Sequence, residues 1–111
     1  MSECSDEFRE DAVARLSKLL SILAHPTRIK ILALCAVRER STTELREALG
    51  ISKPLLIAHL RQLVNAGLLE SRAELDTESY VVRKYYRTRK FALTVSDDVL
   101  AKLVKGCGES S

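Results

Sequence analysis

The residues of this chain best suited to bind a partner are basic and lie close together. Residues 83–90 contain five basic side chains and no acidic one: Arg83, Lys84, Arg87, Arg89 and Lys90. A run of cations without acids is typical of a surface that faces a polyanion. Charge alone supports equally well the alternative that these residues form a solvated strand face. Residues 51–93 hold eight basic and four acidic side chains, whereas residues 1–50 hold eight of each. The positive excess is therefore concentrated in one region.

A second set of candidate residues precedes that run. At helical spacing Leu56, Leu60 and Leu63 share one face, which predicts a buried seam. Two residues on the opposite side, Arg61 and Gln62, have side chains that can form two hydrogen bonds at once. The candidate contact residues of this segment are Lys53, Pro54, Leu55, Ile57, Ala58, Arg61 and Gln62.

The sequence assembles no catalytic centre. It has no glycine-rich phosphate loop, no metal triad and no Ser or Cys beside a plausible base. Its three cysteines, Cys4, Cys35 and Cys107, are widely spaced, which excludes a disulfide framework or a CxxC zinc site within one chain. Cys35 falls on an apolar helical stripe, where a thiol behaves as a small hydrophobe. We expect no enzyme activity, no cofactor and no metal centre.

Length and composition predict one soluble domain. A chain of 111 residues with 46% hydrophobic and 30% charged side chains has the size and content of a single globular domain spanning residues 1–111. No apolar run approaches the roughly 20 residues that a membrane span needs, and the first dozen residues are acidic. We expect a cytoplasmic protein. The single Asn and single Gln are typical of proteins from thermophiles.

Periodicity and capping residues place the candidate residues on helices and a hairpin. The pattern predicts helices over 6–24, 26–37, 42–49 and 53–66, an antiparallel hairpin of strands 68–74 and 80–93, and a last helix over 96–106. Ser41 and Glu44 match a capping box at the start of the third helix, and Ser52 is an N-cap for the fourth. In the second helix the predicted buried stripe is Arg28, Ile31, Leu32, Cys35 and Ala36. Gly50 and Gly67 supply the turns that end the third and fourth helices.

Several motifs in this order carry a resemblance. They are LAHPTRIKIL at 23–32, TEL at 43–45, SKP at 52–54, HLRQL at 59–63, AGLL at 66–69 and KYYR at 84–87. Together, over about residues 16–94, they resemble the ArsR-type winged-helix transcription regulators. The resemblance implies a mostly α fold with a small β-hairpin, a winged helix-turn-helix of order α-α-α-α-β-β-α.

The resemblance also implies that the chain binds double-stranded DNA. The helix over 53–66 is then the recognition helix in the major groove, and the hairpin is a wing that contacts the backbone. The wing candidates are Arg72, Arg83, Lys84, Arg87 and Arg89. Alternation places Arg83, Tyr85, Arg87 and Arg89 on one face and Lys84, Tyr86, Thr88 and Lys90 on the other, and it leaves open which face is the inner one. Ile57 departs from the small polar residue common in the family.

The family's metal sites have no counterpart in this chain. Its thiolate site needs cysteines on the third helix, and residues 41–50 contain none. Its other site uses histidine with acids on the last helix, where this chain has Asp97 and Asp98 but no histidine. We therefore expect no bound metal, and the effector stays unknown.

The outer helices predict a homodimer. Residues 1–24 and 96–106 carry more apolar surface than one chain covers, and in the resembled family these elements form a twofold interface. The predicted interface residues are Phe8, Ala12, Leu16, Leu19, Val99, Leu100 and Leu103. Cys4 and Cys107, at the outer ends of these helices, could form a bridge in the dimer.

The leading hypothesis is a homodimeric, sequence-selective DNA-binding transcription regulator that acts as a repressor. The alternative is a winged-helix protein-interaction module without specific DNA binding, because the fold alone does not impose DNA binding. Salt-sensitive binding to random duplex DNA separates the two hypotheses.

Overall fold

The computed structural model describes residues 7–106. Its helices are α1 (Glu10–Leu23), α2 (Pro26–Val37), α3 (Thr42–Leu49), α4 (Lys53–Asn65) and α5 (Asp97–Ala101). Its strands are β1 (Arg40–Ser41), β2 (Leu69–Asp76) and β3 (Val81–Thr88). The predicted order of helices and hairpin is confirmed, and β1 is an additional strand between α2 and α3.

Local capping explains the helix-turn-helix formed by α3 and α4. The Ser41 hydroxyl accepts a hydrogen bond from the Glu44 N–H (3.1 Å), and the Glu44 carboxylate accepts one from the Ser41 N–H (3.0 Å). This is the predicted capping box, and the Ser41 N–H lowers the pKa of Glu44. Gly50 ends α3 in the left-handed region at φ 65°, and the Ser52 hydroxyl then caps α4 at the Leu55 N–H (3.3 Å).

The hairpin belongs to a three-stranded antiparallel sheet of order β1-β3-β2. The register of β2 and β3 runs from the pair Leu69 and Thr88 to the pair Asp76 and Val81. Residues 40 and 41 pair with Tyr86 and Tyr85, respectively. The second strand was predicted to run to 93 but ends at Thr88, and the short edge strand β1 was not predicted because two residues carry no period-2 pattern.

The core of residues 21–91 is apolar and lies between α2, α3, α4 and the base of the sheet. Its buried side chains are Ile22, Ile31, Leu32, Cys35, Leu45, Leu56, Leu60, Leu63, Leu68, Leu69 and Tyr86. The seam predicted for α4 is confirmed. On α2 the prediction was wrong for Ala36, which is exposed near the helix end, and Arg28 is half-buried.

The inner face of the hairpin, which the sequence left open, carries Tyr86 and Thr88. Tyr86 is buried, and burial raises the pKa of its phenol. The Thr88 hydroxyl donates to the Leu32 carbonyl (2.8 Å), which attaches the base of β3 to α2. Because side chains alternate along a strand, Lys84 shares this face, and Arg83, Tyr85 and Arg87 lie on the outer one.

The described residues form two compact units, 21–91 and, separately, 7–20 with 92–106. In the second unit Phe8 and Val104 form an antiparallel bridge, and the Arg9 N–H donates to the Leu103 carbonyl (2.8 Å). The last helix was predicted over 96–106 but contains only Asp97–Ala101. Tight turns follow it, with the Leu103 N–H donating to the Leu100 carbonyl (3.0 Å), and they lead into the bridge.

Within residues 7–106 no single helix is both long enough and apolar enough to cross a membrane. The consecutive helices α1 and α2 meet those criteria of length and composition only when taken together as a sharply bent pair.

Candidate nucleic-acid interface

The exposed side of α4 carries the residues that the sequence predicted for contact. Burial of the leucine seam turns Lys53, Leu55, Ala58, Arg61 and Gln62 outward, and all five are exposed. Pro54 is also exposed in the first turn, where a helix needs no backbone donor, and Ile57 is half-buried. Leu55 is 48% exposed although it is a large apolar side chain. This side of α4 therefore offers an apolar first turn followed by two hydrogen-bonding side chains.

A cleft of about 490 Å³ lies beside the start of α4. It separates the first turns of α3 and α4 from the outer half of the hairpin. It is lined by Ser41, Thr42, Thr43, Arg46, Lys53, Ile57, Val81, Val82, Arg83 and Lys84. Four of these side chains are basic, three carry hydroxyls, and none of the lining residues is acidic. We call this feature the basic cleft. It brings three predicted residues, Lys53, Arg83 and Lys84, to one place.

Sequence reasoning missed the contribution of α3 to the basic cleft. Thr42, Thr43 and Arg46 line its wall. Residues three and four apart share a helix face, so the spacing of Arg46 from the two threonines was an available signal. It was overlooked because the eight-residue helix was interpreted only through its capping box.

Arg72 lies on the outer face of the hairpin and is already paired. Its Nε and Nη2 donate to the two carboxylate oxygens of Glu39 (2.8 and 2.7 Å), and its Nη1 donates to Glu74 (2.7 Å). Its guanidinium carbon is 4.5 Å from the centre of the Tyr85 ring. These hydrogen bonds raise the pKa of Arg72 and lower that of Glu39. The arrangement connects β2 to the segment that precedes β1.

The remaining basic residues of the wing are divided between two places. Arg87 and Arg89, with Lys90, border a separate depression that also includes Glu70. Arg87 is paired in register with Glu70, and Arg83 with Glu74. Residues 83 and 87 are about 13 Å apart along an extended strand. The run that is continuous in sequence is therefore divided, and Lys84 is the member whose cross-strand neighbour, Ala73, is uncharged.

The residues predicted for dimerisation all lie in the unit of residues 7–20 and 92–106. None of the seven is buried in the single chain, and Phe8 and Leu100 are 49% and 46% exposed. Ala12, Leu16, Leu19, Val99 and Leu103 are half-buried. This unit therefore leaves a partly uncovered apolar surface.

The cysteines differ in what the structure describes. Cys35 is fully buried, and burial raises the pKa of its thiol to about 11. The proposed bridge between Cys4 and Cys107 lies outside the described residues. Within residues 7–106 there is no group of three or more His, Cys, Asp or Glu side chains that could hold a metal ion.

Comparison with known proteins identifies the family of this chain. The family model for bacterial regulatory proteins of the arsR family matches residues 25–71. An HTH-type transcriptional regulator of Methanocaldococcus jannaschii is 31% identical over 86 residues, which cover 78% of this chain and 88% of that protein. The fold and these matches therefore define a DNA-binding transcriptional regulator of the winged helix-turn-helix class.

The fold is also similar to that of solved structures, of which two bear on assembly and regulation. A homodimeric winged helix-turn-helix DNA-binding domain from Mycobacterium bovis has a TM-score of 0.60 and 31% identity, covering 79% of this chain and 75% of that one. The transcriptional repressor BigR from Xylella fastidiosa has a TM-score of 0.60 and 27% identity, covering 73% and 76%. The chain belongs to the arsR family of bacterial regulatory proteins.

Proposed function

We propose that this chain is a homodimeric repressor that binds selected sequences in double-stranded DNA. In this proposal α4 enters the major groove and the inner face of the hairpin contacts the adjoining backbone. The observation that carries the proposal is the basic cleft, in which Arg46, Lys53 and Lys84 come together from three elements without an acidic neighbour in the lining.

The exposed side of α4 suits a major groove. That groove admits one helix, and the first turns of a recognition helix reach the base edges. Leu55 and Ala58 are exposed there and fit the methyl groups of thymine. Arg61 and Gln62 follow one turn later and supply bidentate hydrogen bonds, which discriminate bases by about 1–3 kcal/mol for each good pair. We expect these two residues to set selectivity.

The basic cleft suits the phosphates beside that groove. Its cations come from α3, α4 and β3, and three hydroxyls between them are additional donors. Arg83 also lines the cleft, but it belongs to the outer face of β3 and shares its register position with Glu74. Arg87 is opposite Glu70 and also lowers the pKa of Glu39, so we expect it to contribute less than Lys84. Arg72 is committed to two carboxylates, and we expect it to position the wing.

The dimer is supported by the partly uncovered surface of residues 7–20 and 92–106. A twofold pair presents two recognition helices to a palindromic site, with half-sites about 34 Å apart. The similar Mycobacterium bovis domain is homodimeric, and the similar Xylella fastidiosa protein is a repressor. These two properties are the ones that we carry over to this chain as proposals.

The test is selection of bound sequences from a random duplex pool, followed by anisotropy titration of the selected and scrambled duplexes at several salt concentrations. We expect preference for a palindrome, and affinity that falls as salt rises. Light scattering at micromolar concentration should give the mass of a dimer. A monomer would contradict the proposed dimer. The absence of salt-sensitive duplex binding would contradict the proposed DNA binding and favour a protein-interaction module.

A further inference from the structure

One arginine connects the recognition helix to the rest of its unit. Arg28 on α2 donates from Nε to Nδ1 of His59, which lies in the middle of α4 (3.0 Å). The same guanidinium donates from Nη1 to the carbonyl of Ile22 (3.1 Å). The planar guanidinium of Arg28 therefore holds α4 to α2 and to Ile22, which precedes α2 in the chain.

This hydrogen bond exists in only one protonation state of His59. Arg28 has donors and no acceptor, so Nδ1 of His59 must carry a lone pair rather than a proton. A protonated imidazole would direct an N–H at the Nε–H of Arg28 and add a positive charge beside the guanidinium. Acidification therefore replaces an attraction with a repulsion at the centre of α4.

The surroundings of His59 favour its neutral form. Burial is the largest cause of its lowered pKa, followed by the charges of Arg28, on α2, and His25, which precedes that helix. The rings of His25 and His59 have centroids 5.9 Å apart. The hydrogen bond from Arg28 to His59 is thus present above pH 6.5, the ordinary pKa of histidine. Its contribution to stability is lost as the pH falls below that value.

We propose that Arg28 is a positioning residue for α4, acting through neutral His59, and that acidification weakens duplex binding by releasing this contact. The inference rests on the proposed function, because α4 is the helix placed in the major groove. The expected change in duplex affinity on acidification has the opposite sign to the simple electrostatic effect. A histidine that contacted phosphate would bind DNA more tightly once it was charged.

The first test is duplex affinity of the full chain between pH 8 and pH 5 at fixed salt. If only the neutral state binds, each protomer loses roughly tenfold in affinity for each pH unit below the pKa of His59. His59→Asn places an amide oxygen close to the position of Nδ1 and does not titrate, so it should bind at neutral pH and lack this acid-dependent loss. His25→Asn is the matched control, since it removes the other imidazole and should keep the loss.

The second test does not depend on DNA. The NMR titration of His59 should give a pKa below 6.5, and that pKa should rise in Arg28→Leu, which removes the neighbouring positive charge, and by less in Arg28→Lys, which keeps it. Absence of duplex binding at pH 7.5 would contradict the proposed function. Equal acid-dependent losses in the wild type and His59→Asn, or a His59 pKa unchanged by the Arg28 variants, would overturn the present inference alone.

Discussion

Neutralising Lys84 should reduce the salt dependence of DNA binding by the contribution of one phosphate contact in each protomer. Lys84 lies on the inner face of β3, lines the basic cleft and is paired in register with Ala73. Each phosphate that a cation neutralises contributes about 0.9 to the slope of log affinity against log salt. Because a dimer holds two clefts, Lys84→Gln should reduce the slope by about 1.8.

The corresponding affinities are measurable by anisotropy. When salt rises from 50 to 200 mM, affinity falls by some factor in each protein. Because the slope of the variant is smaller by about 1.8, that factor should be roughly ten times smaller for the variant than for the wild type. Arg46, Lys53 and Lys84 together, in two protomers, account for a wild-type slope of about 5 in magnitude. The effect should be the same for selected and scrambled duplexes, since phosphate contacts carry no sequence information.

Lys30→Gln is the matched control for this prediction. Lys30 is exposed on α2 and does not line the basic cleft, and its substitution removes the same charge from the chain. Its slope should stay at the wild-type value. Equal slopes for Lys84→Gln and Lys30→Gln would refute the assignment of phosphate contacts to this side of the wing.

Three further predictions concern the parts that support the interface. Arg72→Gln should lower the melting temperature but leave the salt slope unchanged, because Arg72 binds Glu39 and Glu74; a slope reduced as much as in Lys84→Gln would contradict this. Leu63→Ala, at a fully buried position of the seam, should reduce the free energy of unfolding in urea by about 2–5 kcal/mol, and a loss below about 1 kcal/mol would contradict the packing. The Cys35 peptide should remain unalkylated by iodoacetamide at pH 7.5 unless urea is added, because its pKa is about 11; rapid labelling of the folded chain would contradict its burial.

The helix-turn-helix was predictable from the sequence because its boundaries depend on local chemistry. Ser41 with Glu44 and Ser52 mark helix starts through hydrogen bonds to nearby amides, and Gly50 supplies a left-handed turn. These interactions involve residues at most four apart. The periodicity of α4 likewise determined its buried seam, so the exposure of most of its candidate contact residues followed directly.

The wing was less predictable because its organisation depends on partners distant in sequence. Both faces of β3 are polar. What distinguishes them is that Tyr86 is buried and that the Thr88 hydroxyl donates to the Leu32 carbonyl, 56 positions away. The ion pair between Arg72 and Glu39 spans 33 positions, so nothing near Arg72 in the sequence shows that its charge is satisfied. The division of the basic run follows from the register with β2, which periodicity alone does not give.

In the proposed complex, DNA covers the side of the wing that faces α4. The most direct test is an amide NMR titration of the isotope-labelled protein with a selected duplex. We expect the largest shifts at Arg46, Lys53, Arg61 and Lys84, and small shifts at Glu39 and Arg72. The reverse result, with the largest shifts on the outer face around Arg72 and little change along the basic cleft, would contradict the account.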